Sequence, residues 1–267
     1  MERPSGAATF LVAAEAYDRH IGRYGPDLAR ALCDAAAVHA KQRVLDVGCG
    51  PGALTSELVA RLGAAAVVAA DPSAPFAEAC RARHPGVRVE RAAAEHLPFA
   101  DGGFDAALAQ LVVNFMTDPL AGVREMCRVT RPGGTVAAAV WDYAGEMTLL
   151  RRFWDAAVAL DPAAADVDEG RTMPFCTSDA LGDLWADAGL DDVSVGEAVV
   201  DAAYDGADDL WQPLESGVGP SGAYVALLQP SQRTALRVEL CRRLGVGDAP
   251  FRLTARAWIA TGRVRGA

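Results

Sequence analysis

Short hydrophobic runs alternate with helical segments between residues 41 and 141. The runs are rich in Val, Ala and Leu, which is typical of parallel strands buried on both faces; they cover 43–47, 64–70, 87–91, 104–111 and 135–141. Three helices are predicted between them: 53–62, stopped by Gly63, a second from an N-capping Ser73 to Arg83, and a third from Pro119 to about Thr130. This alternation predicts an α/β fold with a doubly wound, mostly parallel sheet.

The flanking segments have a looser pattern. Residues 7–40 are predicted to be helical with a break at 22–26, and helices are predicted at 147–160, 178–188 and 231–244. Strands predicted at 193–200 and 251–259 complete a seven-stranded sheet as an antiparallel, hairpin-like edge. The Gly-, Pro- and Trp-containing stretch 208–222 is interpreted as a cap loop. We therefore expect one domain with a helical lid at 1–40, an α/β core at 41–141, and the rest of the sheet with a small cap at 142–267.

Composition narrows the function. The chain has 267 residues and a formal net charge of −10, and its arginines are scattered, which disfavours nucleic acid and anionic membranes as partners. The six cysteines form no Cys-x-x-Cys pair, and the four histidines have no metal-ligand spacing, so neither a metal site nor a disulfide framework is expected. No apolar run reaches the roughly 18 residues that a membrane-spanning helix needs, so we expect a cytoplasmic protein. We also expect it to be a monomer or a homodimer.

A glycine-rich turn follows the first strand, in the segment Val44-Leu45-Asp46-Val47-Gly48-Cys49-Gly50-Pro51-Gly52. Gly48 and Gly50 allow a ligand to approach the backbone closely, and the following helix N-terminus offers free N–H groups. The spacing also fits a nicotinamide-binding fingerprint, but Asp46 favours a cofactor that carries an ammonium group. Asp71 ends the second strand, where an acidic side chain accepts hydrogen bonds from ribose hydroxyls.

Three segments, in order, resemble the type 11 branch of the class I S-adenosylmethionine-dependent methyltransferases, which includes enzymes of quinone biosynthesis. They are the turn just described, Ala93-Ala94-Glu95-His96-Leu97-Pro98-Phe99-Ala100-Asp101-Gly102-Gly103-Phe104-Asp105, and Arg128-Val129-Thr130-Arg131-Pro132-Gly133-Gly134. The resemblance covers residues 41–141 and implies a Rossmann-like methyltransferase fold with S-adenosylmethionine as the cofactor. Ala93 departs from the family, which often has Asp at that position.

The resemblance also implies roles for individual residues. Around the methionine part of the cofactor it places Asp46, Gly48, Cys49 and Gly50, with Gln110 and Leu111 near the sulfonium. It places Asp71 at the ribose, Pro72 on the adenine, and Ala94 and Glu95 at the adenine edge. The segment 17–24 resembles the "YDRxxGR" stretch of some relatives, so Tyr17 and Arg23 are expected to meet the methionine carboxylate.

Methyl transfer requires alignment more than a catalytic triad, and no single base is predicted. The weak candidates are His20, Asp142 and Tyr143. Aromatic residues within 142–230 favour a small hydrophobic acceptor. Two alternatives remain open: a regulator that binds S-adenosylmethionine without catalysis, and a methyltransferase that acts on RNA or protein. An NAD-dependent oxidoreductase is disfavoured, because Lys41 is the only lysine and no hydride-site pair is recognisable.

Overall fold

A computed structural model describes residues 14–266, with side chains from residue 17 onward. Its centre is a seven-stranded sheet with the order β3-β2-β1-β4-β5-β7-β6. The strands are β1 Val44–Val47, β2 Val67–Ala70, β3 Arg88–Glu90, β4 Phe104–Gln110, β5 Thr130–Trp141, β6 Asp191–Tyr204 and β7 Phe251–Arg263. Strands β1 to β5 are parallel, and β7 runs antiparallel to both β5 and β6. The predicted fold class is confirmed.

Helices cover both faces of the sheet, as the alternation of elements requires. Those of the N-terminal half are α1 Ala14–Arg19, α2 Gly25–Ala35, α3 Ala53–Leu62, α4 Ala74–Arg83 and α5 Pro119–Val129. Those that follow are α6 Thr148–Leu160, α7 Glu169–Thr172, α8 Ser178–Asp187, α9 Ala207–Glu215, α10 Gly219–Leu227 and α11 Pro230–Leu244. No helix among residues 14–266 is long and apolar enough to cross a membrane.

The order of the strands reverses beside β1. From β1 the chain first builds outward through β2 and β3, and then returns to pair β4 with the other side of β1. Asp46 of β1 lies between Ala69 of β2 and Leu108 of β4. In a sheet of this kind a crevice opens at the carboxyl ends of the two central strands, and ligands bind there.

The antiparallel edge is longer than predicted. Strands β6 and β7 span 14 and 13 residues and pair from Asp191 with Arg263 to Tyr204 with Phe251. Polar, partly exposed residues near the ends of both strands weaken the alternating hydrophobic pattern there, so the predicted strands are too short. Trp185 of α8 is fully buried against this edge and donates a hydrogen bond from Nε1 to the Val136 carbonyl at 3.1 Å.

Three local predictions are corrected by the structure. Residues 208–222 are not a loop, because Leu210, Trp211 and Leu214 form one buried face of helix α9 and α10 follows it. The run 64–70 begins as a 3-10 turn and becomes a strand only at Val67. Ser73 does not cap α4 through its side chain; its backbone N–H instead donates to Asp71 Oδ1.

The N-terminal helices lie against the sheet. The predicted helical stretch 7–40 falls partly outside the described residues, and the remainder comprises α1, a 3-10 turn and α2 with the predicted break between them. Tyr24 is fully buried, packs edge-on against Trp141 at 5.7 Å, and shares a 3.1 Å hydrogen bond with the Tyr204 hydroxyl. These contacts attach the 3-10 turn after α1 to the ends of strands β5 and β6.

Truncation of a central core side chain tests this packing. Leu108 is fully buried in β4, so Leu108→Ala is expected to lower the free energy of unfolding by about 2–5 kcal/mol. The measurement is urea unfolding followed by circular dichroism. Leu227 is 84% exposed, so the control Leu227→Ala should stay within about 0.5 kcal/mol of the parent. Equal losses in the two variants would contradict the burial described here.

Candidate active site

A cavity opens at the carboxyl ends of β1, β2 and β4, at the reversal of strand order. Its empty space, together with the open solvent at its mouth, is about 860 Å³. It is lined by Tyr17, Gly48, Gly50, Asp71, Pro72, Ser73, Phe76, Ala93, Ala94, Glu95, Gln110, Leu111, Val112, Phe115, Met116 and Thr117. The glycine turn, the end of β2, the 93–95 segment and the end of β4, all expected at the cofactor, contribute to this wall.

At Gly48 the glycine turn has no space for a side chain, because Val112 packs against it. Gly48 has φ +69°, and a Cβ atom there would lie 2.5 Å from Cγ2 of Val112. Gly50 has φ +52°, but a Cβ there would meet nothing within 4 Å. The N–H groups of Gly48 and Cys49 both donate to the Ala70 carbonyl, at 2.7 and 3.0 Å, which fastens the turn to the end of β2.

Asp71 connects two turns of the chain across the floor of the cavity. Its Oδ2 accepts a 2.8 Å hydrogen bond from Gly50 N, and its Oδ1 accepts one of 2.8 Å from Ser73 N. Burial raises the pKa of Asp71, and the two backbone N–H groups act in the opposite direction. An ionised carboxylate has about four acceptor positions, so each oxygen still has a lone pair for a ligand hydroxyl.

Asp46 and Cys49 lie beneath the cavity wall, not on it. Asp46 is fully buried and its Oδ2 accepts a 2.5 Å hydrogen bond from the Thr55 hydroxyl, while Oδ1 has no hydrogen-bond partner among the described residues. Burial raises the pKa of Asp46 to about 8. Neither residue lines the cavity, so Asp46 has a supporting position under the glycine turn, and contact of these two residues with the cofactor stays a prediction.

The wall opposite the glycine turn comes from β4 and the 93–95 segment. Leu111 follows β4 with a positive φ of 62°, which is uncommon for a leucine and turns the chain at the cavity edge. Gln110 donates from Nε2 to the Gly25 carbonyl at 3.2 Å, and its Oε1 is buried without a partner in the described part of the chain. Glu95 lines the cavity, but its Oε1 accepts from Thr117 N at 2.8 Å and so holds that segment in place.

Tyr17 lines the cavity and Arg23 does not. The Tyr17 ring packs edge-on against Phe76 at 5.7 Å. The Arg23 guanidinium donates to Asp209 Oδ2 at 3.0 Å and stacks over the Tyr204 ring at 4.1 Å. Asp209 lies on α9, a helix that the sequence pattern did not predict, and contact of Arg23 with a cofactor carboxylate stays a prediction.

Comparison with known proteins shows what the part of the chain around this cavity is similar to. Residues 45–138 match the family model described as a methyltransferase domain. A malonyl-[acyl-carrier protein] O-methyltransferase from Pseudescherichia vulneris is 34% identical over 152 residues, 56% of this chain and 58% of the relative. A demethylmenaquinone methyltransferase from Beutenbergia cavernae is 36% identical over 110 residues, 41% of this chain and 45% of the relative. The matches thus span about half the length of these relatives.

The family match covers about a third of the chain, and this segment is similar to a methyltransferase domain. The family implies S-adenosylmethionine as the cofactor, as the sequence motifs predicted. A solved structure from Anaeromyxobacter dehalogenans, provisionally assigned as a type II methyltransferase, aligns with a TM-score of 0.61 and 23% identity over 91% of this chain and 98% of its own. The [4+2]-cyclase SpnF aligns with a TM-score of 0.53 and 16% identity over 90% of this chain and 82% of its own. Both likenesses concern the fold alone.

A second cavity adjoins the first beyond the methyltransferase motifs. The two share Tyr17, Leu111 and Phe115 as walls, and the empty space of the second, together with open solvent at its mouth, is about 380 Å³. Its remaining lining residues are His20, Ile21, Trp141, Tyr143, Leu150, Glu169, Val218, Gly219, Pro220 and Ser221. The lining is mainly aromatic and aliphatic. Because this space begins where the glycine-lined cavity ends, it lies where an acceptor beside the cofactor would be expected.

The three candidate bases occupy different environments. His20 is buried in the second cavity with its Nε2 3.5 Å from the Ser221 hydroxyl, and burial lowers its pKa to about 3. Tyr143 also lines this cavity, and burial raises its pKa well above the usual value. Asp142 lines neither cavity, and Arg256 donates to its Oδ2 at 2.7 Å.

Sequence reasoning missed Glu169. This residue lies in helix α7, is 2% exposed, and lines the second cavity. It belongs to the acidic stretch Asp166-Val167-Asp168-Glu169, which in sequence is indistinguishable from a solvated surface segment. Only the packing of α7 against α6 shows that its side chain is buried.

The glycine turn gives a testable difference between two otherwise similar glycines. Gly48→Ala and Gly50→Ala both place an L-residue at positive φ, which costs about 1–2 kcal/mol. Only Gly48→Ala also collides with Val112, so it should lose a further 1–3 kcal/mol or so of unfolding free energy. Urea unfolding of the two variants measures the difference. Equal losses would show that Val112 does not restrict the turn.

Buried Asp46 predicts a dependence of stability on pH. Its pKa of about 8 lies above the unfolded value, so its contribution is full below about pH 4 and is lost as pH rises towards 8. Between these limits the parent protein should lose up to about 1.4 kcal/mol per pH unit relative to Asp46→Asn, whose side chain does not ionise. Unfolding in urea across this range measures the difference. Parallel pH profiles for both proteins would contradict an Asp46 that is protonated in the folded state.

Proposed function

We propose that this protein transfers a methyl group from S-adenosylmethionine to a small, hydrophobic organic acceptor. The observation that carries the proposal is the pair of adjoining cavities at the carboxyl ends of the central strands: one lined by glycines and Asp71, the other lined by aromatic side chains. The first suits an adenosine cofactor and the second suits an apolar acceptor.

The residues of the first cavity fit the cofactor. The open space at Gly50 and the tight contact at Gly48 leave backbone, not side chain, facing the ligand. Asp71 is held at both oxygens by backbone N–H groups and is oriented to accept ribose hydroxyls. Pro72 and Phe76 offer apolar surface for the adenine, and the buried Oε1 of Gln110 offers an acceptor to an ammonium group.

Once bound, S-adenosylmethionine supplies an electrophilic methyl group on a sulfonium centre. The protein then has to align the acceptor and exclude water. Leu111 and Phe115, which line both cavities, and Trp141, which lines the second, form an apolar boundary for this purpose. Tyr17, also common to both cavities, lies at the same boundary.

The acceptor is proposed to be a small molecule because the second cavity is narrow and largely apolar. Among the described residues that line it there is no lysine or arginine to hold a phosphate backbone. Relatives named for malonyl-[acyl-carrier protein] and for demethylmenaquinone differ in acceptor, so relatedness alone does not select one. Location in the cytoplasm and a monomeric or homodimeric state remain predictions from the sequence.

Binding of S-adenosylhomocysteine tests the cofactor assignment. At 100 times its dissociation constant a ligand adds about 2.7 kcal/mol of stability, which should raise the unfolding midpoint by roughly 5–10 °C. Asp71→Asn should remove most of this rise because it loses an ionised acceptor for the ribose, whereas Asp183→Asn, an exposed acid on α8, should retain it. Thermal unfolding with and without ligand measures both. An undiminished rise in Asp71→Asn would contradict the assignment.

Turnover separates the enzyme from a protein that only binds the cofactor. The assay follows formation of S-adenosylhomocysteine from S-adenosylmethionine with a panel of aromatic hydroxyl and amine compounds. At least one compound of the panel is expected to be methylated. Turnover confined to RNA or protein acceptors would contradict the small-molecule proposal.

A further inference from the structure

The second cavity contains a buried carboxyl group that the cofactor site does not use. Glu169 is 2% exposed, and its Oε2 accepts a 2.9 Å hydrogen bond from Nε1 of the fully buried Trp154. Burial raises the pKa of Glu169 to about 7, opposed by the hydrogen bond from Trp154. A buried acid in an apolar cavity costs free energy, and it therefore suggests a functional role.

The two charged neighbours of Glu169 act in opposite directions, because Asp168 raises its pKa and Arg151 lowers it. Arg151 of α6 is engaged by the adjacent Asp168, to which it donates hydrogen bonds of 2.7 and 3.1 Å. Burial raises the pKa of the Cys176 thiol to about 12. Tyr17 and Tyr143, which line the cavity, likewise have pKa values raised by burial, above their usual value of 10.

His20 is the remaining titratable group of the cavity lining. With its pKa lowered to about 3, it stays neutral at neutral pH. Of the described titratable residues that line the cavity, Glu169 is therefore the one that changes charge near neutrality. The described lining residues of both cavities include no lysine or arginine.

We propose that Glu169 is the catalytic base of the acceptor site, and that the acceptor presents to it a hydroxyl or an amine, not a carboxylate. This inference rests on the proposed methyltransferase function and defines the reacting group of its acceptor. A carboxylate has no proton to release and would meet a carboxylate of like charge without a compensating cation. A hydroxyl or an ammonium group donates a charge-assisted hydrogen bond to Glu169.

The proton and electron balance is simple. The acceptor oxygen or nitrogen forms its new bond to the methyl carbon, and the electron pair of the carbon–sulfur bond leaves with sulfur. The O–H or N–H bond of the acceptor breaks, its electron pair stays on the acceptor, and the proton passes to the Glu169 carboxylate. Trp154 stabilises the ionised form that accepts this proton.

Three probes of similar size test the inference: phenol, benzylamine and benzoate. Each is titrated calorimetrically into the full-length protein saturated with S-adenosylhomocysteine, between about pH 6 and about pH 8. Phenol and benzylamine should bind, and their affinities should rise about tenfold over this range as Glu169 ionises. Benzoate should not bind. Comparable binding of benzoate, or no binding of phenol and benzylamine, would overturn the proposal.

Glu169→Gln isolates the carboxylate. It should keep the affinity for S-adenosylhomocysteine, abolish the pH dependence of phenol and benzylamine binding, and slow any methyl transfer to a hydroxyl or amine acceptor about a hundredfold. The control Asp166→Asn changes an exposed acid three residues away and should behave like the parent. An unchanged pH dependence in Glu169→Gln would overturn the proposal.

Trp154→Phe provides a second variant that keeps the carboxyl group. Loss of the Nε1 donor removes the hydrogen bond that favours ionised Glu169, so the midpoint of the pH dependence should move upward. A purely structural role for Glu169 would leave that midpoint in place. Failure of the parent to bind S-adenosylhomocysteine would instead count against the proposed function, so the two failures are distinguishable.

Discussion

The Asp71 carboxylate is the contact on which the geometry of the site depends. It ends β2 and accepts one backbone N–H from the turn after β1, at Gly50, and one from the turn after β2, at Ser73. The two turns belong to adjacent parallel strands, and their separation sets the width of the crevice where the strand order reverses. The Ala70 carbonyl, which accepts from Gly48 N and Cys49 N, holds the same two turns together from below.

The parallel core and its cavity could be predicted from the sequence because their signals are local. A buried strand, a glycine that requires positive φ and an acid at a strand end each leave a mark within a few residues. The turn at Gly48 to Gly50 and the position of Asp71 are of this kind, and both line the cavity. The position of Asp46 beneath the cavity wall could not be predicted. All four residues of β1 are buried, so the sequence does not show which of them face the cavity.

The acceptor side was less predictable because its residues are brought together only by packing over long separations. Glu169 comes from an acidic stretch, His20 from the N-terminal segment and Ser221 from α10, and the three meet in one cavity. Arg23 pairs with Asp209 of α9, a helix that was not predicted because its sequence lies in a Gly- and Pro-containing stretch. In this chain, therefore, the chemistry shared with relatives lies in sequence motifs, whereas the groups proposed to select the acceptor lie in tertiary contacts.

The two adjoining cavities are proposed to form one reaction site, with the cofactor in the first and the acceptor in the second. A crystal structure of the complex with S-adenosylhomocysteine tests it most directly. We expect the ribose hydroxyls to lie on Asp71 and the sulfur to face the boundary formed by Tyr17, Leu111 and Phe115, towards Glu169. A ligand bound elsewhere, or one whose sulfur faces away from the second cavity, would contradict it.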